Sequence, residues 1–285
     1  EIALQGRLDT RSEAYGIELR CDSFPLNSFL PADSLGLLDL ALQAGGSGFD
    51  PLRAQTRGNI RLQVDRAEFR GRDFGGVKLN ANLEGGQLSG RLSDRDEALR
   101  LLLLISGTLT ERKQEVRLTG NVFDFDLAEL GISPQKIGGS FALEAGASAS
   151  DAGSYTARIA LDSIEVRTRH RTDRIRPTSL SLSSDTTATR AKLASGDLSL
   201  AFVSPGPVDS LVPALTRSTD ILAQQIRAQS VDMEALKPAL PDFSLSVTAG
   251  RENILNNFLK TKKVSFGALD IDCLLYTSPS PRDRS

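Results

Sequence analysis

Tryptophan is absent from this 285-residue chain, histidine and methionine occur once each, and there are two cysteines. A Ser–His or Cys–His nucleophilic system would have to use His170, which lies in the run Arg167-Thr168-Arg169-His170-Arg171-Thr172. Its neighbours are Arg and Thr and no adjacent carboxylate orients it, so the solvated edge of a strand is the expected setting. One histidine and two distant cysteines give no zinc spacing. Aromatic residues make up only 5% of the chain, too few for a stacking platform on single-stranded nucleic acid. Net charge is −2 with both signs interspersed, and no basic stripe marks a nucleic-acid surface. The longest strongly apolar run, Leu101 to Ile105, is far too short to cross a bilayer, and no signal peptide is evident. The opening residues already read as a strand, so both ends are expected to be cut from something longer.

The last residues belong apart. Cys273-Leu274-Leu275-Tyr276-Thr277-Ser278-Pro279-Ser280-Pro281-Arg282-Asp283 reads as a translated transposase sequencing adapter, so 273–285 is expected to be a non-native tail. Cys21 is then the only native cysteine, which excludes an internal disulfide.

The remaining chemical candidates are few. Asp124-x-Asp126 begins like a calcium loop, but the ligand series breaks off and Asp126 reads better as a cap. Gly71-x-x-x-Gly75-Gly76 is a turn before a strand, not a phosphate cradle. Asp65-x-x-Glu68 recurs as Asp162-x-x-Glu165 and is the best paired-carboxylate constellation. On a strand, residues three apart face opposite ways, which defeats shared acid–base work. No catalytic residue, metal site or cofactor is expected.

What the chain does have is a repeat. Phe24-Pro25-Leu26 with Phe29-Leu30 returns 101 residues later as Phe125-Asp126-Leu127 with Leu130-Gly131. A weaker third copy, Val231-Asp232-Met233 with Leu236, follows at 106. Leu40-Ala41-Leu42-Gln43-Ala44-Gly45 matches Phe141-Ala142-Leu143-Glu144-Ala145-Gly146, and Asp50 matches Asp151, also at 101. The two carboxylate pairs align at 97. Such self-similarity marks stacked units that bury apolar surface against their neighbours. The limits it suggests are a first β repeat over 1–122, a second over 123–230 that ends in a helix, and the start of a third over 231–272.

Period-two alternation dominates: Ile2 to Leu8, Ile60 to Asp65, Val77 to Leu83, Leu180 to Ser183 and Phe243 to Val247 each alternate apolar with polar. Such strands have one covered and one wet face, and Gly45-Gly46, Gly85-Gly86 and Ser195-Gly196-Asp197 supply turns of an antiparallel meander. The Phe-Asp-Leu-x-x-Leu element reads as one or two helical turns plugging one end of each repeat, capped by Asp126 and Asp232. A longer helix is expected from about Val208 to Ala228, with Leu211, Val212, Leu215, Ile221, Leu222 and Ile226 on its apolar side and Pro213 near its start. Packing on the sheet is its expected role.

A glycine-punctuated meander with recurring Phe-Asp-Leu-x-x-Leu plugs resembles the AsmA-like superfamily, and within it the TamB-type translocation and assembly module proteins. The likeness rests on Gly120-Asn-Val-Phe-Asp-Phe-Asp-Leu-Ala-Glu-Leu-Gly131, on Leu180-Ser-Leu-Ser-Ser-Asp185 and on Asp197-Leu-Ser-Leu-Ala-Phe202. It is diffuse, spans most of 1–272, and lacks the family's N-terminal membrane anchor and C-terminal domain. The resemblance implies a mainly β fold: elongated antiparallel sheet repeats curled into an open groove, with few short helices and one longer one. It implies a periplasmic protein, anchored in the inner membrane at full length, that carries phospholipid along the groove between the inner and outer membranes, for outer-membrane assembly and without catalysis. The implied partners are phospholipid, the two membranes and an outer-membrane assembly protein; nucleic acid is not among them. Leu62, Val64, Val77, Leu79, Leu143, Ile159, Leu161, Leu180 and Leu182 would then line the groove. The same leucines could instead pack a dry core against a second sheet, and the resemblance favours the groove. Two other readings remain: a β-repeat adhesin or autotransporter scaffold, which the hundred-residue period and leucine-rich faces disfavour, and a carboxylate glycosidase on a β-helix.

Overall fold

The computed structural model describes residues 1–28, 35–150, 153–227, 232, 240–261 and 266–275. The protein is mainly β, an open antiparallel meander with few helices. The strands are β1 Ile2–Asp9, β2 Ala14–Pro25, β3 Leu35–Ser47, β4 Arg57–Phe69, β5 Arg72–Phe74, β6 Val77–Glu84, β7 Gln87–Arg95, β8 Leu99–Leu109 and β9 Lys113–Asp126. They continue as β10 Ile137–Ser150, β11 Tyr155–Thr168, β12 Thr172–Ile175, β13 Thr178–Ser184, β14 Ala188–Ser195, β15 Leu198–Pro205, β16 Phe243–Ala249 and β17 Leu269–Leu275. Helix α1 spans Val208–Arg227 and helix α2 spans Ile254–Thr261. Packing divides the chain within β11: one compact unit holds 1–151 and 160–175, the other 152–159 and 176–285.

The sequence repeat is a repeat of hydrogen-bond register. In the first unit β2 pairs β3 with Ile17 opposite Ala44, Cys21 opposite Leu40 and Phe24 opposite Leu38. Residues 101 later, β9 pairs β10 with Leu118 opposite Ala145, Val122 opposite Phe141 and Phe125 opposite Gly139. Both pairs carry a bulge between the same two positions, Cys21/Phe24 and Val122/Phe125. A bulge kinks the strand where the repeated phenylalanine must swing off the ladder. In the first copy Ser23 takes a positive φ of 48 there.

Where the plugs are expected, the chain makes single turns. Leu26–Ser28 forms a single 3-10 turn, and 127–131 is turn structure after β9. Asp126 does cap it: its Oδ1 accepts from the N–H groups of Ala128 at 2.9 Å and Glu129 at 3.3 Å. Gly131 follows at φ +70, so the segment bends away after one turn instead of continuing. Phe29, Leu30, Val231, Met233 and Leu236 lie outside the described residues, as do Asp151 and 276–285.

The second unit is organised around β13–β17, all antiparallel neighbours. Helix α1 occupies nearly the span its apolar periodicity indicates, with Leu211 buried and a contact to β14. Serines at strand ends hold the helix starts: Ser184 Oγ accepts from Val208 N–H at 2.8 Å, and Ser195 Oγ from Ile254 N–H at 3.2 Å. The strand β17 runs on through Cys273, Leu274 and Leu275, opposite Leu245, Ser244 and Phe243. At the β13–β14 turn, Asp185 takes bonds from the Thr187 hydroxyl and from the N–H groups of Thr187 and Ala188. They hold its carboxyl down at about 2. This contribution is present above the ordinary carboxylate range and is lost as pH falls towards 2.

A buried polar knot went unseen in the sequence. Asn253 caps α2 by accepting from Asn256 N–H at 2.8 Å, and donates to Asp197 Oδ1 at 2.6 Å and Gly250 O at 3.0 Å. Asn256 donates to Arg251 O at 3.2 Å and Phe266 O at 3.1 Å. Both side chains are fully buried. Asn256→Ala leaves two carbonyls without their donor, so a loss of about 1–3 kcal/mol is expected in urea denaturation of the second unit.

Candidate functional site

The first unit presents one apolar sheet face built by strict alternation. Directly opposed pairs link Leu4 to Leu19, Leu19 to Leu42, Leu42 to Leu62, Leu62 to Leu79, Leu79 to Leu92 and Leu92 to Leu103. Leu103 then opposes Gly120, and Gly120 opposes Leu143. One side chain per strand thus forms a row across nine strands, leucine everywhere except at Gly120. At about 4.8 Å between strands, the row is roughly 38 Å long.

Parallel rows flank it on the same face. On one side stand Ile2, Cys21, Leu40, Val64 and Val77, then, beyond Asp94, Leu101, Val122 and Phe141. On the other side Gly6, Ile17, Ala44, Ile60, Ala81, Gly90, Ile105, Leu118 and Ala145 oppose one another in turn. The intervening residues, such as Gln5, Glu18, Gln43, Arg61, Asn80 and Arg91, make the opposite face polar. Among the described residues of this unit there is no α-helix, only the 3-10 turn at Leu26–Ser28. Leu62, Val64, Val77, Leu79 and Leu143 are half-buried and Cys21, Leu103 and Val122 are buried, while Ile17 and Ile60 are each 44% exposed.

The second unit treats its apolar face differently. Leu180, Leu193, Leu200, Val247 and Ile271 form a row, and so do Leu182, Ala191, Phe202, Leu245 and Cys273. Here Ile254 and Leu255 of α2, with Phe266, pack on a dry cluster of Leu198, Val247 and Ala249. Leu180 remains exposed at the row's end and Leu182 is half-buried. Ile159, exposed, and Leu161, half-buried, are alternate residues of β11. Of the nine residues expected on a groove, five therefore share the apolar face of the first unit and two occupy apolar rows of the second. The row's other leucines, Leu4, Leu19, Leu42, Leu92 and Leu103, escaped attention because alternation shows which residues share a strand face, not which face each other.

The chemical candidates are tied up in structure. Asp65 is the unpaired residue of a bulge between Val64 and Arg66 and accepts from Gln63 Nε2 at 2.7 Å. Glu68 Oε2 accepts from Leu37 N–H at 3.1 Å, and Glu165 stands opposite Arg174. Asp162 takes the N–H of Ser163. Asp124 pairs with Arg167, and His170 sits exposed in the turn between β11 and β12. The hollow of about 520 Å³ beside Asp124, Asp126, Lys136 and Arg167 is lined by charges that satisfy one another. No group of three metal-ligating side chains occurs among the described residues, and no described helix is long and apolar enough to cross a membrane.

Asp94 is the one acidic side chain in these rows. It is 8% exposed, and burial pushes its carboxyl above the ordinary value despite the N–H of Asp96 at 2.9 Å. Its folded-state pKa lies above the unfolded value near 3.9, so the fold favours the protonated form. Its contribution is complete below about pH 4 and is lost as pH rises through the raised value. Asp94→Asn keeps an acceptor for Asp96 without the charge. The variant is expected to be more stable than the parent at pH 7 and equal to it near pH 4, read by urea denaturation at both.

Comparison with known protein families, with characterised proteins and with solved structures finds no match to this chain.

Proposed function

We propose that this protein is a non-enzymatic carrier of phospholipid, moving acyl chains across its apolar sheet face between the inner and outer membranes in support of outer-membrane assembly. The observation that carries the reading is the nine-strand leucine row of the first unit, over which no α-helix of that unit lies among the described residues. An acyl chain in water costs about 0.8 kcal/mol per exposed CH₂, so a continuous apolar strip lowers the barrier to its transfer without chemistry. The resemblance of the Phe-Asp-Leu-x-x-Leu repeats to the AsmA-like superfamily supports the same reading. On the same reading the protein works in the periplasm.

The experiment is native mass spectrometry of the purified chain with lipid extraction. Co-purifying phospholipid, diminished by Leu79→Asp and by Leu161→Asp, is the expected result. A lipid-free, cooperatively folded monomer would overturn the carrier and leave a binding scaffold.

A further inference from the structure

At one end of β4, β6, β7 and β8 the first unit has a mouth. The strands stop there at Arg57, Glu84, Gln87 and Leu109, just beyond Gly58, Leu83, Leu88 and Gly107, which oppose one another in turn on the apolar face. The β6–β7 connection is only the Gly85-Gly86 turn, whereas the connections on either side of it, 48–56 and 110–112, are longer. Between those two lies a hollow of about 640 Å³, lined by Leu52, Arg53 and Gln55 on one side and by Thr110, Glu111 and Arg112 on the other.

The opposite end of these strands is bridged. Arg72 Nη1 donates to Ala128 O at 2.7 Å and to Glu129 Oε2 at 2.9 Å, and Arg70 Nη1 donates to Gly131 O at 3.3 Å. The β4–β5 hairpin thus meets the turn after β9, although β6, β7 and β8 lie between them in the sheet. The sheet bends to allow this, and the bend encloses the apolar face: Leu103 and Val122 are buried on it, while Lys78, Asn80 and Arg91 of the other face are exposed.

Charge separates the mouth from the other hollows of the unit. Its lining sets Arg53 and Arg112 against Glu111, which leaves one positive charge. Arg53 spends Nε on Asp50 at 3.4 Å and keeps its Nη groups, and the Arg112 guanidinium has no partner among the described residues. At the bridged end, the hollow beside Asp124 holds four carboxylates against Lys136, Arg167 and Arg169, and so repels an anion. A third hollow, of about 460 Å³, contains Arg7 and Arg61 but lies among Gln5, Glu18 and Gln43 of the polar face, away from the leucine row.

We infer that the mouth seats the phosphate of the carried lipid between the Arg53 and Arg112 guanidiniums, with the acyl chains turned inward over Leu83 and Leu88 onto the leucine row. This rests on the carrier reading and assigns the head-group end of its ligand. Phosphate oxygens accept charge-assisted bonds from both guanidiniums, one from each loop. The half-buried Leu52 shields the first CH₂ groups beneath them. A lining with one net positive charge holds a single anionic head without trapping it, as a carrier requires.

Calorimetric titration of the full chain tests it with dihexanoyl phosphatidic acid, with dihexanoylglycerol, which has the same chains and no phosphate, and with inorganic phosphate. The parent is expected to bind the phosphatidic acid about tenfold more tightly than the dihexanoylglycerol. Arg53→Gln combined with Arg112→Gln alters two exposed side chains; it is expected to abolish that preference and to leave the dihexanoylglycerol affinity unchanged. Equal binding of the two lipids by the parent, or an undiminished preference in the double variant, would overturn the head-group site while the carrier stands. Binding of neither lipid would overturn the carrier and this site with it. Inorganic phosphate bound as tightly as the phosphatidic acid, and lost in the double variant, would assign the hollow to free phosphate and overturn the lipid.

Discussion

Leu62→Asp combined with Leu79→Asp is expected to cut the phospholipid that co-purifies with the chain on the order of a hundredfold while leaving the fold intact. The two leucines are directly opposed on β4 and β6, at the middle of the row. An acyl chain crossing that point loses contact for about four CH₂ groups, roughly 3 kcal/mol, which is about a hundredfold in affinity. The effect on stability separates the two structural readings of these leucines. On a bare face the carboxylates remain hydrated and cost the sheet about 1 kcal/mol through cross-strand repulsion. In a dry core two unpaired buried charges would unfold the unit. Extracted lipid per protein, measured beside a urea titration, reads both: lost lipid with a preserved transition supports the carrier, and a lost transition sinks it.

The second large effect is expected at Gly120. A Cβ there would stand 2.0 Å from the Leu102 carbonyl oxygen and 2.9 Å from Leu103 Cα, both backbone atoms of the neighbouring strand. Nothing flexible can yield, so Gly120→Ala must push β8 and β9 apart. A loss on the order of 3 kcal/mol or more is expected, in the range of severe overpacking. The matching substitution in the first copy of the repeat is a useful contrast, because Leu19 already occupies the equivalent place. Thermal unfolding of Gly120→Ala within a few degrees of the parent would show that the strands separate at little cost.

The hundred-residue period was legible because the same side chains must face the same neighbours each time, and register preserved the match residue for residue from Ile17 to Phe24. The helix over Val208–Arg227 was legible from its apolar spacing. Helix α2 was not: Asn253 and Asn256 look like loop residues until their amides are seen bonded inside the fold. The cap at Asp126 was legible from its place in the repeat, but a cap alone does not say how many turns follow. Whether leucines such as Leu62 lie under a second layer could not be read at all. A covered strand and a bare one share the same alternation, and only the tertiary arrangement shows α2 packed over Val247 and no α-helix of the first unit over Leu79 among the described residues.

The leucine row has a mechanical consequence. Seven of its nine positions follow one another as the same residue at a spacing of about 4.8 Å, so the row is a corrugated potential with nearly equal wells. An apolar chain lying across the strands exchanges each contact for an equivalent one when it shifts by a strand, and the free energy of the shifted state is unchanged. Motion along such a surface is one-dimensional diffusion over shallow ripples, biased only by what is supplied or withdrawn at the ends. The single irregular step is Gly120, where the missing side chain makes the strip locally thin.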